Sequence, residues 1–199
     1  MRYFGNGNFN GIILRRTNDE LREIVWKTQE LYPQAYPGSK WAEKKSQWTF
    51  PSGARIWLTY LDRPEDVLRY QGQAFSYVAF DELTQHPTSF AFDYMRSRLR
   101  TTDQTLPTFM RATTNPGGPG HGWVKKMFID PAPENRPFNA TDLDTGKPLV
   151  YPESHERAGE PLFTRRFIPA SLYDNPYLTA DGAYEANLLS LPENQRRQL

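Results

Sequence analysis

Asp81 and Glu82 stand side by side at the end of an apolar run, in the stretch YVAFDELTQ that covers residues 77–85. Adjacent carboxylates at the carboxyl end of a buried strand can divide labour: one holds a hydrated magnesium ion, and the next, pointing the other way, orients or deprotonates an attacking water. The plain alternative is a strand that ends in a polar turn, where Asp is common. Both readings stay open on these two residues alone. A second group lies downstream in RATTNPGG, where Thr113, Thr114 and Asn115 offer hydroxyl and amide groups suited to sensing a terminal phosphate or its water. A right-handed crossover between strands 74–80 and 108–113 would bring both carboxyl ends, and so both groups, to one edge. Otherwise the trio merely closes a strand ahead of a Gly-Pro turn.

The elements that would position these groups follow from the pattern along the chain. GIILRRT (11–17) reads as a short buried strand, and TNDE after it as a capping box with Thr17 at the N-cap and Glu20 three residues on. Leu21, Ile24, Val25, Thr28 and Leu31 recur at helical spacing, which predicts an amphipathic helix over 19–31 that stops before Pro33. QWTFPSGARIWLTYL (47–61) reads as a β-hairpin with Gly53 in its turn, with Trp48 and Trp57 packing there or in the core, as Trp26 does from the helix. A short helix over 62–68 comes next. AFSYVAF (74–80), apolar on both faces, belongs in the middle of a parallel sheet. A helix over 89–99, a strand over 108–113 ended by PGGPG, and a short helix over 121–128 complete the regular part. Residues 130–163 dissolve into Pro, Asn, Asp and Glu around a turn at DTGK and read as a long surface excursion. TRRFIPASL (164–172) is extended again, and Tyr184, Leu188 and Leu191 mark a last helix. The alternation of strand and helix predicts an α/β fold, a mainly parallel sheet flanked by helices, in a single domain of 199 residues.

Composition narrows the partners. With 24 Lys plus Arg against 23 Asp plus Glu, the net charge of +1 provides no global field toward nucleic acid or membrane, so any such contact must be local. The absence of cysteine excludes disulfides and Cys-based zinc sites, and fits a reducing, cytosolic setting. No apolar run approaches membrane-spanning length, and the three-residue apolar patch before Arg15 and Arg16 is too short for a signal peptide.

Four separated blocks resemble, in order, the ATPase domain of the tailed-phage large terminase subunit: GIILRRTNDELREIVWKTQELYP, YQGQAFSYVAFDELTQ, MRATTNPGGPGHGWVKKMFID, and FIPASLYDNPYL with LPENQRRQL. The resemblance spans nearly the whole chain outside 130–161. It implies a P-loop NTPase-like fold of the ASCE type and ATP-driven packaging of double-stranded viral DNA into a procapsid, in the cytoplasm of the infected host. ATP and Mg2+ would be the cofactors. Portal protein, the small terminase subunit and further copies in a ring would be the partners, with no membrane. By position, Asp81 would bind the magnesium ion through water, Glu82 would be the catalytic carboxylate of a Walker B motif, and Thr113, Thr114 and Asn115 would form the coupling motif.

The pattern departs from that family in one respect. No glycine-rich loop with Lys and Ser or Thr is present: Gly146-Lys147 is followed by Pro148, and GNGNFNG near the start lacks the lysine and precedes a strand. The chain is therefore expected to be an incomplete ATPase domain that begins after the phosphate loop and stops before the family's nuclease domain, with an exposed sheet edge inviting self-association.

Several cations have two readings. Arg69 and Arg63, ahead of the Asp81 strand, are candidates for an arginine acting in a neighbour's site, against the commoner solvated charge. Arg15 and Arg16 would touch phosphate or cap the next element. Lys125, Lys126, Arg165 and Arg166, with Arg96, Arg98 and Arg100, could meet a DNA backbone, which requires charge without base reading. His121 after GGPG would donate to a phosphate or serve its own loop. Two rivals from other classes are a non-catalytic assembly or DNA-binding fragment of the same fold, and a DExx helicase-like ATPase, which shares the carboxylate pair but not the TTN trio.

Overall fold

The computed structural model describes residues 3–179 and 182–193, in two compact units that divide between Thr114 and Asn115. In the first unit, β1 (Asn10–Arg15), β2 (Lys40–Ala42), β3 (Gln47–Thr49), β4 (Arg55–Tyr60), β5 (Tyr77–Phe80) and β6 (Phe109–Ala112) form one sheet in the order β2-β3-β4-β1-β5-β6. Strands β4, β1, β5 and β6 run parallel, and β2 and β3 add an antiparallel margin. The mainly parallel sheet matches the sequence expectation. Within it, β5 is second from the margin, and β1 lies deeper, between β4 and β5.

At β5 the sheet is buried on both faces because the strand is apolar at successive positions. All four residues of β5 are buried. Tyr77 and Ala79 join Ile56 and Leu58 of β4 in a cluster with Phe4, Phe9, Trp48 and Phe50. By the period-two alternation of a strand, Val78 and Phe80 face the opposite side, where the Phe80 ring meets that of Phe92, 5.4 Å away, in helix α2 (Phe90–Arg96). The first face is covered by α1 (Asn18–Ala35). Thr17 caps it as expected, its hydroxyl accepting from the Glu20 amide at 3.3 Å.

Helix α1 continues through Pro33 instead of stopping before it. Tyr32 and Tyr36 pack against Phe4 and Phe50 at centroid distances of 5.1–5.8 Å, and this aromatic contact holds the last turn on the sheet although proline removes one backbone donor. Burial raises the Tyr32 phenol to about 12. Leu31, which helical spacing placed on the apolar face, is 57% exposed, and Trp26, expected to pack in the core or the hairpin, is 65% exposed. The hairpin over 47–61 forms as expected, with Gly53 at φ +93°. Helix α2 is shorter than its expected span of 89–99, since the chain turns back through Arg98 and Arg100, whose backbones pair with Phe75.

In the second unit, α3 (His121–Val124) runs on into a wider, π-helical turn over Lys125–Ile129. The stretch read as a plain surface excursion carries pairing of its own. Strands β7 (Phe138–Asn139) and β8 (Thr164–Arg165) pair antiparallel, and bridges Thr141–Pro148 and Val150–Pro161 extend the contact. Asp142 closes the DTGK turn by accepting from the Thr145 amide at 2.8 Å, so Gly146-Lys147 sits in a hairpin. Helices α4 (Pro176–Thr179) and α5 (Ala183–Ser190) follow. Among the described residues no helix is long and apolar enough to cross a membrane.

Candidate active site

Strands β1, β5 and β6 are parallel neighbours, with Leu14 paired to Phe80 and Phe80 to Ala112. The residues that follow, Arg15, Asp81 and Thr113, therefore leave the sheet together at its carboxyl edge, where open α/β sheets bind ligands. Backbone bonds fix the alignment: the Asp81 amide donates to the Leu14 carbonyl at 2.9 Å, and the Thr113 amide to the Phe80 carbonyl at 3.0 Å. The Thr113 hydroxyl donates to Asp81 Oδ1. Arg15 Nε donates to Asp81 Oδ2 at 2.6 Å, and Arg15 Nη2 lies 2.5 Å from the same oxygen.

Glu82 has φ +55° and ψ +56°, the left-handed region that non-glycine residues enter at a cost of about 1–2 kcal/mol. Three bonds hold it there. The Leu83 amide donates to the Thr113 carbonyl at 2.9 Å, the Gln85 amide to the Glu82 carbonyl at 2.9 Å, and the Thr84 amide to the Thr114 hydroxyl at 3.1 Å. Thr114 in turn donates to Thr84 Oγ1 at 2.9 Å. Next, His86 is buried against the Phe80 ring, 5.3 Å away, and its amide closes the turn on the Leu83 carbonyl. Burial, with a contribution from Arg16, lowers its imidazole to about 4, so it is neutral at pH 7.

The structure thus brings Asp81, Glu82, Thr113 and Thr114 into one bonded cluster, and Asn115 is the first residue of the second unit. Arg16 turns aside, Nη1 donating to the carbonyls of Leu61 and Asp62. Arg69 stands near the carboxyl end of β4, its Nη2 donating to the Tyr60 carbonyl at 3.3 Å and its Nε to the Asp66 carbonyl at 2.8 Å. Arg63 is exposed in the same connection.

In the second unit Lys125 pairs with Asp130, while Lys126 and Arg166 are exposed. Arg165 is buried, donates to the Thr141 carbonyl at 3.0 Å and lies over the Phe128 and Phe163 rings, so its guanidinium serves the hairpin. Arg96 pairs with Asp93, Arg98 lies over Tyr94, and Arg100 donates to the Gly72 carbonyl at 3.0 Å. His121 accepts from the Gly117 amide at 3.1 Å and thereby braces its own loop. Gly5 and Gly7 of GNGNFNG precede β1 and Gly11 is its second residue, so the motif lies at the amino end of the strand, opposite the carboxylates.

What residue-type reasoning did not supply is the strain at Glu82, the support from Thr84 and His86, and the grip of Arg15 on Asp81. Only the last left a trace in the sequence, as an arginine at the end of another strand.

A magnesium ion suits this donor set in part. Magnesium takes hard oxygen ligands, retains several waters, and is held by one or two carboxylates together with substrate phosphates. Asp81 and the Thr113 hydroxyl are such ligands, and among the described residues no larger group of acidic or His side chains gathers at a metal-binding spacing.

Residues 1–179 match the family described as terminase large subunit, T4likevirus-type, N-terminal. No curated protein matches the chain. Among solved structures, the ATPase domain of the Thermus phage P74-26 large terminase is similar over 99% of this chain and 77% of that one, at 13% identity and a TM-score of 0.53. That likeness carries the fold, a mainly parallel α/β sheet flanked by helices. The large terminase of another thermophilic bacteriophage aligns at 21% identity and a TM-score of 0.44, over 59% of this chain and 29% of that one. The complex of that second terminase with ADP aligns at 20% identity and 0.44, over 62% and 30%. The chain thus spans about 30% of the length of that second phage protein.

Proposed function

The chain belongs to the terminase large subunit family of the T4likevirus type, and on that premise we propose that it forms part of the ATP-hydrolysing motor that drives double-stranded viral DNA into a procapsid. The observation that carries the catalytic reading is Glu82, a glutamate held in a left-handed turn directly after Asp81 at the carboxyl edge of parallel strands. Strain of this kind persists only where the surroundings enforce it, and it gathers at functional sites.

In this reading Asp81 and the Thr113 hydroxyl would hold Mg2+, which would supply neutralisation of phosphate charge when bound with ATP. Glu82 orients the attacking water and accepts its proton. Thr114 anchors the Glu82 turn through Thr84, so a shift of the Thr113–Asn115 segment would move the base, which is a direct route from phosphate sensing to movement. Arg63 or Arg69 would serve a neighbouring copy in a ring, and Lys125, Lys126 and Arg166 would track the DNA backbone without reading sequence. Portal protein and the small terminase subunit would complete the assembly in the host cytoplasm.

These 199 residues contain no G-x-x-x-x-G-K-[ST] loop, so the phosphate cradle would come from residues outside them. That feature favours, as the competing reading, a fragment that assembles or binds DNA without turnover. The test is steady-state MgATP hydrolysis, with double-stranded DNA present, by the chain alone and within the assembled packaging complex, each compared with Glu82→Gln. Loss of a general base predicts turnover lower by about 10²–10⁴-fold in the variant. Equal turnover in both proteins, or none in either setting, would leave the assembly reading.

A further inference from the structure

Both carboxylate oxygens of Asp81 are already engaged, Oδ2 by a cation. Oδ2 receives both Nε and Nη2 of Arg15, and Oδ1 receives the Thr113 hydroxyl. The pair is well shielded, with side chains 16% and 25% exposed. The parallel register that sets Leu14 against Phe80 delivers the two residues side by side, so the contact is built into the sheet and does not depend on a wandering surface arginine. A guanidinium stays protonated at any pH the protein meets. With both groups charged, a competing cation or a competing anion is what would part the two.

We propose that Arg15 is a positioning residue that occupies the metal's place on Asp81 and yields it only when the ion arrives together with phosphates. This rests on the reading of Asp81 as the metal carboxylate. The physical logic is an exchange of cations: a lone hydrated Mg2+ must displace a doubly donating guanidinium and meets its positive charge at the same edge. A metal–nucleotide complex brings phosphate oxygens on which that guanidinium can settle, since planar donors match them well. Arg15 thus prevents the carboxylate from holding metal without nucleotide. Thr113, already on Oδ1, keeps the carboxylate aimed through the exchange.

The experiment is Mn2+ binding, followed by electron paramagnetic resonance of the free ion, to the chain and to Arg15→Ala, Arg15→Lys, Asp81→Asn and the Arg15→Ala/Asp81→Asn double variant. Without nucleotide, Arg15→Ala is expected to bind Mn2+ more tightly than the parent, by up to about fivefold, the worth of one partly shielded ion pair. Arg15→Lys, which keeps the charge but loses the two-nitrogen grip, falls between them and serves if Arg15→Ala does not fold. Asp81→Asn should cancel the gain. A loss of structure alone would weaken binding, so an increase separates the proposal from a merely structural ion pair. Unchanged or weaker binding in both Arg15 variants, with Asp81→Asn weaker still, would overturn the latch and leave the metal reading standing. Tighter binding by Arg15→Ala that persists in the double variant would overturn both.

Discussion

At the amino end of the six-stranded sheet, Gly7 passes so close to Ser52 that a Cβ would lie 2.4 Å from its carbonyl oxygen, and the residue without a Cβ occupies the spot. At the carboxyl end Glu82 holds φ +55°, a conformation glycine adopts freely, and a glutamate occupies it. The polar groups differ in the same way. Asp103 gathers Asn6 at 3.0 Å, Asn8 at 2.9 Å and the Thr105 amide at 2.9 Å, tying the first loop to the chain ahead of β6. These bonds hold its carboxyl well below the usual range. Asp81 instead accepts from the Arg15 guanidinium and the Thr113 hydroxyl. One end relieves strain with a glycine and neutral donors, and the other keeps a strained glutamate beside an ion pair.

The contrast can be broken most forcefully through His86, whose amide closes the Glu82 turn. Its imidazole is lowered from 6.5 to about 4 in the folded protein, so below pH 6.5 the unfolded chain takes up the proton first. Stability is full above pH 6.5 and falls as pH drops toward 4, by up to about 3 kcal/mol through this group, with no further loss below. Urea unfolding of the parent and of His86→Phe between pH 7.5 and 4.5 checks it: the variant's profile should be flatter. Identical slopes would place the acid sensitivity elsewhere.

Gly7→Ala comes next. The added methyl meets backbone, which cannot rotate away, and unfolding stability should drop by about 1–3 kcal/mol. No change in the denaturation midpoint would mean that the close approach relaxes at no cost. At the opposite end Glu82→Gly should do the reverse. Relief of the left-handed strain, less the entropy of a glycine, predicts a gain of up to about 1 kcal/mol together with loss of any turnover. A destabilised variant would show that the carboxylate's own contacts outweigh the strain.

The smallest effect is expected at Asp103, which is half-buried. Its carboxyl is depressed below the ordinary 3.8, so its stabilising contribution is present above that pH and fades as pH falls below it. Thermal melts from pH 5 to 2 should show a shallower acid limb for Asp103→Asn than for the parent.

Much of this was legible in the residues. The Thr17 cap, the hairpin about Gly53 and the buried strand ending at Asp81 follow from local chemistry, because each depends on neighbours within a few positions. The run of helix α1 through Pro33 was not legible, because the aromatic contacts of Tyr32 and Tyr36 lie on Phe4 and Phe50, distant along the chain. Residues 130–163 looked structureless, since a two-residue strand such as β7 leaves no periodicity to read. Arg165 read as a surface charge for the same reason, as nothing nearby shows that Phe128 and Phe163 enclose it.

The order of residues by itself determined an α/β sheet with Asp81, Glu82 and the Thr113–Thr114 pair at the ends of adjacent parallel strands, since apolar runs, caps and crossover handedness are properties of short segments. Only the tertiary structure decided what those groups do to one another. It placed Arg15 on Asp81, bent Glu82 into a left-handed turn and tied that turn to Thr114. Each of these contacts joins residues 30 or more positions apart, or depends on a backbone angle that no side chain announces.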